Sequence, residues 1–112
     1  MQNNILTVTT NDVPGYEVVE VYGEVFGVMT RSRNAISNFG AGLKSIVGGE
    51  IGAYTKLLSD SRIEATERMK KAAADKGANA VLAMRFDTGE IGQNMNEVAA
   101  YGTAVKIQPV QR

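Results

Sequence analysis

Cysteine and histidine do not occur in this 112-residue chain. Their absence excludes a disulfide framework, thiol catalysis, and metal ligation by thiolate or imidazole. It also removes the side chain best suited to proton transfer near neutral pH. Acid–base chemistry would fall to a carboxylate, lysine or tyrosine with a strongly shifted pKa. An excess of either charge is lacking too: twelve Lys and Arg stand against twelve Asp and Glu. A dedicated nucleic-acid binder draws affinity from neutralising phosphates, so a net charge of zero argues against that role and against membrane-surface binding. No apolar run is long enough to span a bilayer, and no cationic start precedes an apolar signal core. The expectation is a soluble, cytoplasmic protein.

What is present suits one ordinary domain over residues 1–112, with 44% hydrophobic residues to build its core. Ile5 to Val8 read as a short strand, followed by a type II turn at Pro14-Gly15. Glu17 to Arg31, rich in Val, Tyr and Phe, read as one long strand bent or bulged at Gly23 and Gly27, or as two strands in continuation. Asn34 is placed to cap a short helix carrying Ile36, Phe39, Leu43, Ile46 and Val47 at helical spacing, weakened by Gly40 and Gly42. After Gly48-Gly49 a long helix runs from about Gly52 to Lys76. Tyr54, Leu57, Leu58, Ala65, Met69, Ala72 and Ala73 form its apolar stripe, and Gly77 stops it. Glu64–Arg68 and Glu67–Lys71 are i,i+4 ion pairs on its outer side.

Asn79 to Thr88 read as a buried strand, with Leu82, Met84 and Phe86 on one face and Val81, Ala83 and Arg85 on the other. Gly89 to Asn94 make a loop. A last strand carries Val98, Ala100, Gly102 and Ala104 on one face and Ala99, Tyr101, Thr103, Val105 and Ile107 on the other. The fold class is therefore α+β: an antiparallel sheet packed by one long and one short helix, in the order β-β-α-α-β-β. Strands apolar on both sides need cover on both. The helices cover one face, and a second subunit is the simplest cover for the other. Gly23, Gly27, Ala100 and Gly102 would allow a closely packed, barrel-like contact there.

Recognised chemistry is sparse. Around "KSIVGGEIGAYTKLL", Lys44 and Ser45 precede the glycine pair, whereas a phosphate-binding P-loop places them after it. Gly40-Ala41-Gly42 lacks the third glycine of a dinucleotide fingerprint, and Glu50 at the start of the long helix would repel an anion. The segment reads as a helix–helix turn. Glu17, Glu20 and Glu24, with Glu20 and Glu24 sharing one strand face, could form a hard-metal site with Asp87 or Glu97; the plainer reading is exposed acids. Arg85 interrupts an apolar strand and reads as partly buried, paired with Asp87, Glu64 or a carboxylate of another subunit. Tyr54 and Tyr101 read as packed rings whose hydroxyls need partners. A DNA-binding helix-turn-helix is rejected because the second helix is too long and its outer face mixes acids with bases.

"PGYEVVEVYGEVFGVMTR", "GLKSIVGGEIGAYTKLLSDSRIEATERM", "KGANAVLAMRFDT" and "EVAAYGTAVKI", in order along nearly the whole chain, resemble the YbjQ-like family of putative heavy-metal-binding proteins. The resemblance implies a dodecin-subunit-like α/β fold and a symmetric homo-oligomer, a pentamer, with added strands assisting assembly. Without soft ligands, this chain fits thiolate or imidazole metal binding poorly; an oxygen-ligand site at a subunit junction is compatible. The functional expectation is a homo-oligomeric module that binds a small ligand or ion, or acts as a scaffold, without catalysis or a resident cofactor. Carboxylate metal binding at subunit interfaces is the alternative, and an enzyme of unknown reaction the second alternative. Ligand or interface candidates are Glu50, Tyr54, Arg62, Arg68, Arg85 and Tyr101, with no residue assigned as catalytic or as a metal ligand.

Overall fold

The structure, a computed structural model, describes residues 4–32, 52–91 and 95–111. It comprises β1 (Leu6–Thr7), β2 (Tyr16–Ser32), α1 (Gly52–Asp75), β3 (Ala80–Ile91) and β4 (Met95–Pro109). The short helix expected around residues 34–47 and the Gly48-Gly49 turn lie outside the described residues.

The strands form one four-stranded sheet in the order β1-β3-β4-β2. β2 and β3 each pair antiparallel with β4, but β1 pairs parallel with β3 through Leu6↔Ala80 and Thr7↔Val81. The sheet is thus mixed, where an antiparallel one was expected. The cause lies in the chain between β1 and β2. It does not fold back as a hairpin; it crosses the end of the sheet, and Val8 and Val13 cover Ala80, Leu82, Val105 and Ile107 on the way. The Pro14-Gly15 turn then starts β2 at the opposite edge. Gly15 has φ 85°, and Tyr16 N–H donates to Val13 O at 3.0 Å, the geometry of a type II turn.

Two irregularities decide which side chains share a face. β2 bulges between Val18 and Glu20 and again between Val21 and Gly23. β3 bulges between Leu82 and Arg85, where Ala83 and Met84 together face Gly102. Each extra residue reverses the alternation that follows it. Leu82 therefore joins the cluster under the N-terminal segment, while Met84 joins the one under the helix. This corrects the reading that put Leu82, Met84 and Phe86 on one face. Likewise Glu20 turns towards Tyr22 on the helix side, and Glu24, opposite Thr103, turns to the other face. The acids expected to share a face are parted. The alternation of β4, free of bulges on its own strand, is as read from sequence.

α1 lies over β2 and β4. Its Ala65, Met69 and Ala73 are fully buried against Val25, Ala100 and Ala104. The stripe is narrower than expected: Leu58 is 55% exposed. At Gly27 the helix comes so close that a Cβ would collide with Ala65 O, Met69 N and Arg68 Cβ. Gly102 is equally enclosed, with Leu82 O at 2.9 Å from where a Cβ would stand. Gly27, Ala100 and Gly102 thus serve contacts inside the chain. They do not form the bare face assigned to them from sequence, because α1 closes on Gly27 and Ala100 while the β3 bulge closes on Gly102. α1 ends at Gly77, φ 92°, as anticipated. Glu64 and Arg68 pair at 3.0 Å, whereas Glu67 turns to Lys70 and Lys71 to Asp75 in place of the expected Glu67–Lys71 pair.

Candidate functional site: a bare sheet face and a helix flank

Among the described residues, the sheet face opposite α1 is covered only at one end, by Val8 and Val13. Beyond that cover lies a cross-strand row in which Tyr101 of β4 pairs with Phe26 of β2 on one side and Arg85 of β3 on the other. Phe26 is 60% exposed, Val21 64% and Tyr101 37%. Val28 and Ala99, paired in the neighbouring row, are half-buried. Glu24 and Asp87, both exposed, stand on this face to either side of the aromatic row. Phe26, Tyr101, Val28 and Ala99 thus form an apolar patch bordered by charges of both signs, Glu24, Asp87 and Arg85, a composition found at interaction surfaces.

The candidates among the described residues do not converge on one point. Glu50 lies outside the described residues; Tyr54 belongs to α1, and its side chain is outside them too. Arg62 sits on the helix side, its guanidinium 4.8 Å from the centre of the Phe86 ring, a cation–π contact. Arg68 bonds Val28 O through Nη1 at 2.7 Å and Glu64 through Nε at 3.0 Å, tying the helix to the edge strand. Arg85 is exposed, and its Nη1 donates to Thr9 O and Met84 O, each at 2.9 Å. The expected partial burial and carboxylate partner are replaced by carbonyls, because the N-terminal segment passes directly beside the bulge. Of the candidates whose side chains are described, only Arg85 and Tyr101 are brought together.

Sequence reasoning missed two polar anchors. Ser61 is 2% exposed; its Oγ accepts from Arg31 Nε at 2.8 Å and donates to Leu57 O at 2.9 Å. Its place four residues before Ala65, on the buried stripe, was the available signal. Arg31, Ser61, Met29, Leu57 and Val98 line a concavity of about 590 Å³ between α1 and the sheet. Asn79 donates through Nδ2 to Ile107 O at 2.9 Å and accepts from Ile107 N–H at 2.8 Å, locking the end of β4 to the start of β3. A lone polar residue before an apolar strand carries little sign of such a role.

A heavy metal favours thiolate or imidazole ligands, which this chain lacks. Among the described residues, no group of three or more Asp or Glu is placed to hold a metal ion. Glu17 bonds Gln108, Glu20 bonds Tyr22, and Glu24 lies on the other face. One chain's described donor set therefore does not fit a heavy-metal centre. Among the described residues, no helix is long and apolar enough to cross a membrane.

The architecture defines an α+β protein with a mixed four-stranded sheet and a helix layer on one face. The chain belongs to the YbjQ-like family, whose sequence profile, described as "Putative heavy-metal-binding", matches residues 5–108. It is 57% identical over 108 residues to a UPF0145 protein of Lactococcus lactis subsp. cremoris (strain MG1363), covering 96% of this chain and 99% of that one. To a UPF0145 protein of Limosilactobacillus fermentum it is 60% identical over 102 residues, 91% of this chain and 90% of that one. A solved protein of unknown function of the DUF74 family, from Pediococcus pentosaceus ATCC 25745, shares the fold with a TM-score of 0.53 at 16% identity, over 93% of this chain and 98% of that one.

Proposed function

We propose that this protein is a homo-oligomeric module that binds a small ligand or ion at subunit junctions, or serves as an assembly scaffold, and carries out no catalysis. The bare sheet face carries the reading. Phe26 and Tyr101 lie exposed as a cross-strand pair, with Val21 exposed further along β2, and covering them with a second copy removes apolar surface from water at about 25 cal/mol per Å². The separation of Arg62 and Arg68 from Arg85 and Tyr101 supports a role without catalysis. A symmetric ring is the assembly proposed, with five subunits as the count the family resemblance implies, in the cytoplasm and without nucleic acid or membrane as partner. Light scattering at micromolar concentration tests it: a multiple of the 12.0 kDa chain mass is expected, and a monomer mass overturns the reading.

A second reading is metal binding through carboxylate oxygens contributed by more than one subunit. It is favoured by Glu24 and Asp87, which are exposed on the same bare face. Hard divalent cations such as Mg²⁺ or Mn²⁺ are the matching class. Calorimetry on chelator-treated protein checks it, and the absence of heat with these ions counts against it.

A further inference from the structure

Ser61 is buried on the stripe of α1 that otherwise carries Ala65, Met69 and Ala73. Alanine would fill this place as well, and would bring no hydroxyl that needs a partner. The hydroxyl oxygen instead accepts from Arg31 Nε at 2.8 Å and holds a half-buried guanidinium against the helix. With Nε engaged, the plane of the guanidinium is fixed. Its end-on pair, Nη1 and Nη2, is the fork that meets a carboxylate or phosphate.

Arg31 lines the concavity of about 590 Å³ between α1 and the sheet, a volume within the range of ligand pockets, about 300–1,000 Å³. The floor is apolar. Met29 and Val98 pair across β2 and β4 in the next inward-facing row, half-buried against the core, and Leu58, 55% exposed, lines the concavity from α1. Four charged residues line it among those described. Besides Arg31 there is Arg62, also from α1, whose guanidinium lies over the Phe86 ring. Glu97 alternates with Asn96 and Val98 along β4, so its side chain belongs to the opposite sheet face. Glu90 shares the row of Arg31, but Asn96 stands between them, which sets their strands about 9–10 Å apart. Neither arginine has a carboxylate partner among the described residues.

We propose that this concavity binds one small organic anion per chain. Arg31 grips its carboxylate or phosphate group end-on, Arg62 adds a second positive charge, and Met29, Leu58 and Val98 receive its apolar body. Ser61 is a positioning residue that acts through Arg31. This rests on the small-ligand reading above and gives that ligand a class and a place within one chain. Apolar walls with a few placed polar groups are the usual composition of ligand sites. A guanidinium already held by Ser61 also loses less freedom when the anion arrives.

The chain has no tryptophan, so naphthyl fluorescence reports binding without indole emission beneath it. The anionic probes are 1-naphthoate and 1-naphthyl phosphate; 1-naphthol is the neutral one. At least one anion should bind the full chain at one site per chain. Arg31→Gln should weaken the anions about 10- to 100-fold and leave 1-naphthol unchanged. Arg31→Lys should recover part of that loss, and Ser61→Ala should weaken the anions alone. Lys71→Gln removes a positive charge from the far half of α1 and should change nothing. Equal losses for the anions and 1-naphthol in Arg31→Gln would mean that Arg31 only clamps β2 to α1, and overturn the proposal. Undiminished anion binding by Arg31→Gln overturns this site and leaves the small-ligand reading intact. If neither anion binds the parent chain, the concavity is closed, by the chain's own residues or by a neighbouring subunit, and the site falls. Light scattering on each sample separates the two readings: a monomer that binds the anions overturns the oligomer and keeps the site.

Discussion

Gly27 lies directly beneath Ala65: the helix carbonyl occupies the space in which a side chain at position 27 would begin. The contact couples the edge strand to α1 through main-chain atoms, which cannot swing aside as a side chain can. Gly27→Ala is therefore expected to destabilise the protein by about 3 kcal/mol, at the upper end of the usual overpacking cost. The midpoint of urea unfolding should fall with an unchanged slope. A shift no larger than that of an exposed strand substitution would show that the helix does not sit on this strand.

Ala83 has φ 54° at the β3 bulge, a conformation costing roughly 1–2 kcal/mol for a residue with a Cβ. It persists because its N–H bonds Thr10 O at 2.8 Å and the N–H of Met84 bonds Val8 O at 2.9 Å, so the N-terminal segment holds the bulge in shape. Ala83→Gly should relieve the strain and lose part of the gain to unfolded-state entropy, leaving a stabilisation of about 0.5–1 kcal/mol. Thermal or urea unfolding measures it, and a destabilised variant would contradict the left-handed backbone.

Asn79 uses both ends of its amide on Ile107, as donor and as acceptor. Asn79→Asp keeps the acceptor but sets a carboxylate oxygen against the carbonyl of Ile107. The expected cost is about 1–3 kcal/mol at neutral pH, with part of the loss recovered when the carboxyl is protonated and can donate again. Unfolding at neutral and acidic pH, taken as a difference from the parent protein, tests both halves.

The Tyr22 hydroxyl donates to Glu20 at 3.2 Å. Its pKa is raised above 10.0, first by desolvation and then by the charge of Glu20 and this hydrogen bond. Because the folded value lies above the unfolded one, the stabilisation is present below the unfolded pKa and is lost as pH rises through the folded pKa. As pH rises through the phenol range, the parent protein should therefore lose more stability than Tyr22→Phe. Ultraviolet titration of the phenolate should show a lower pKa in Glu20→Gln.

Local order along this chain was legible in its residues. Helix α1, with Ala65, Met69 and Ala73 inward and Gly77 at its end, follows from 3.6-residue periodicity and a glycine stop. The Pro14-Gly15 turn and the two faces of β4 follow from backbone preference and strict alternation. Among the candidate residues, Arg85 and Tyr101 were legible as members of the sheet, but their being neighbours depends on register. Register in turn depends on the bulges at Val21/Gly23 and Leu82/Arg85, which no single-residue preference dictates: alanine at position 83 is a poor advertisement for a left-handed bend.

Which side chains are present and their near-neighbour spacing sufficed for the long helix, the positions of the described strands, the apolar content of both strand faces and the exclusion of thiolate and imidazole chemistry. Tertiary structure decided the rest. It ran β1 parallel to β3, used Gly27 and Gly102 for contacts within the chain, parted Glu20 from Glu24, and left Phe26 and Tyr101 exposed on one side with Ile63 on the other. Those outcomes depend on contacts between residues far apart in the chain, where one inserted residue in a strand exchanges its inner and outer faces.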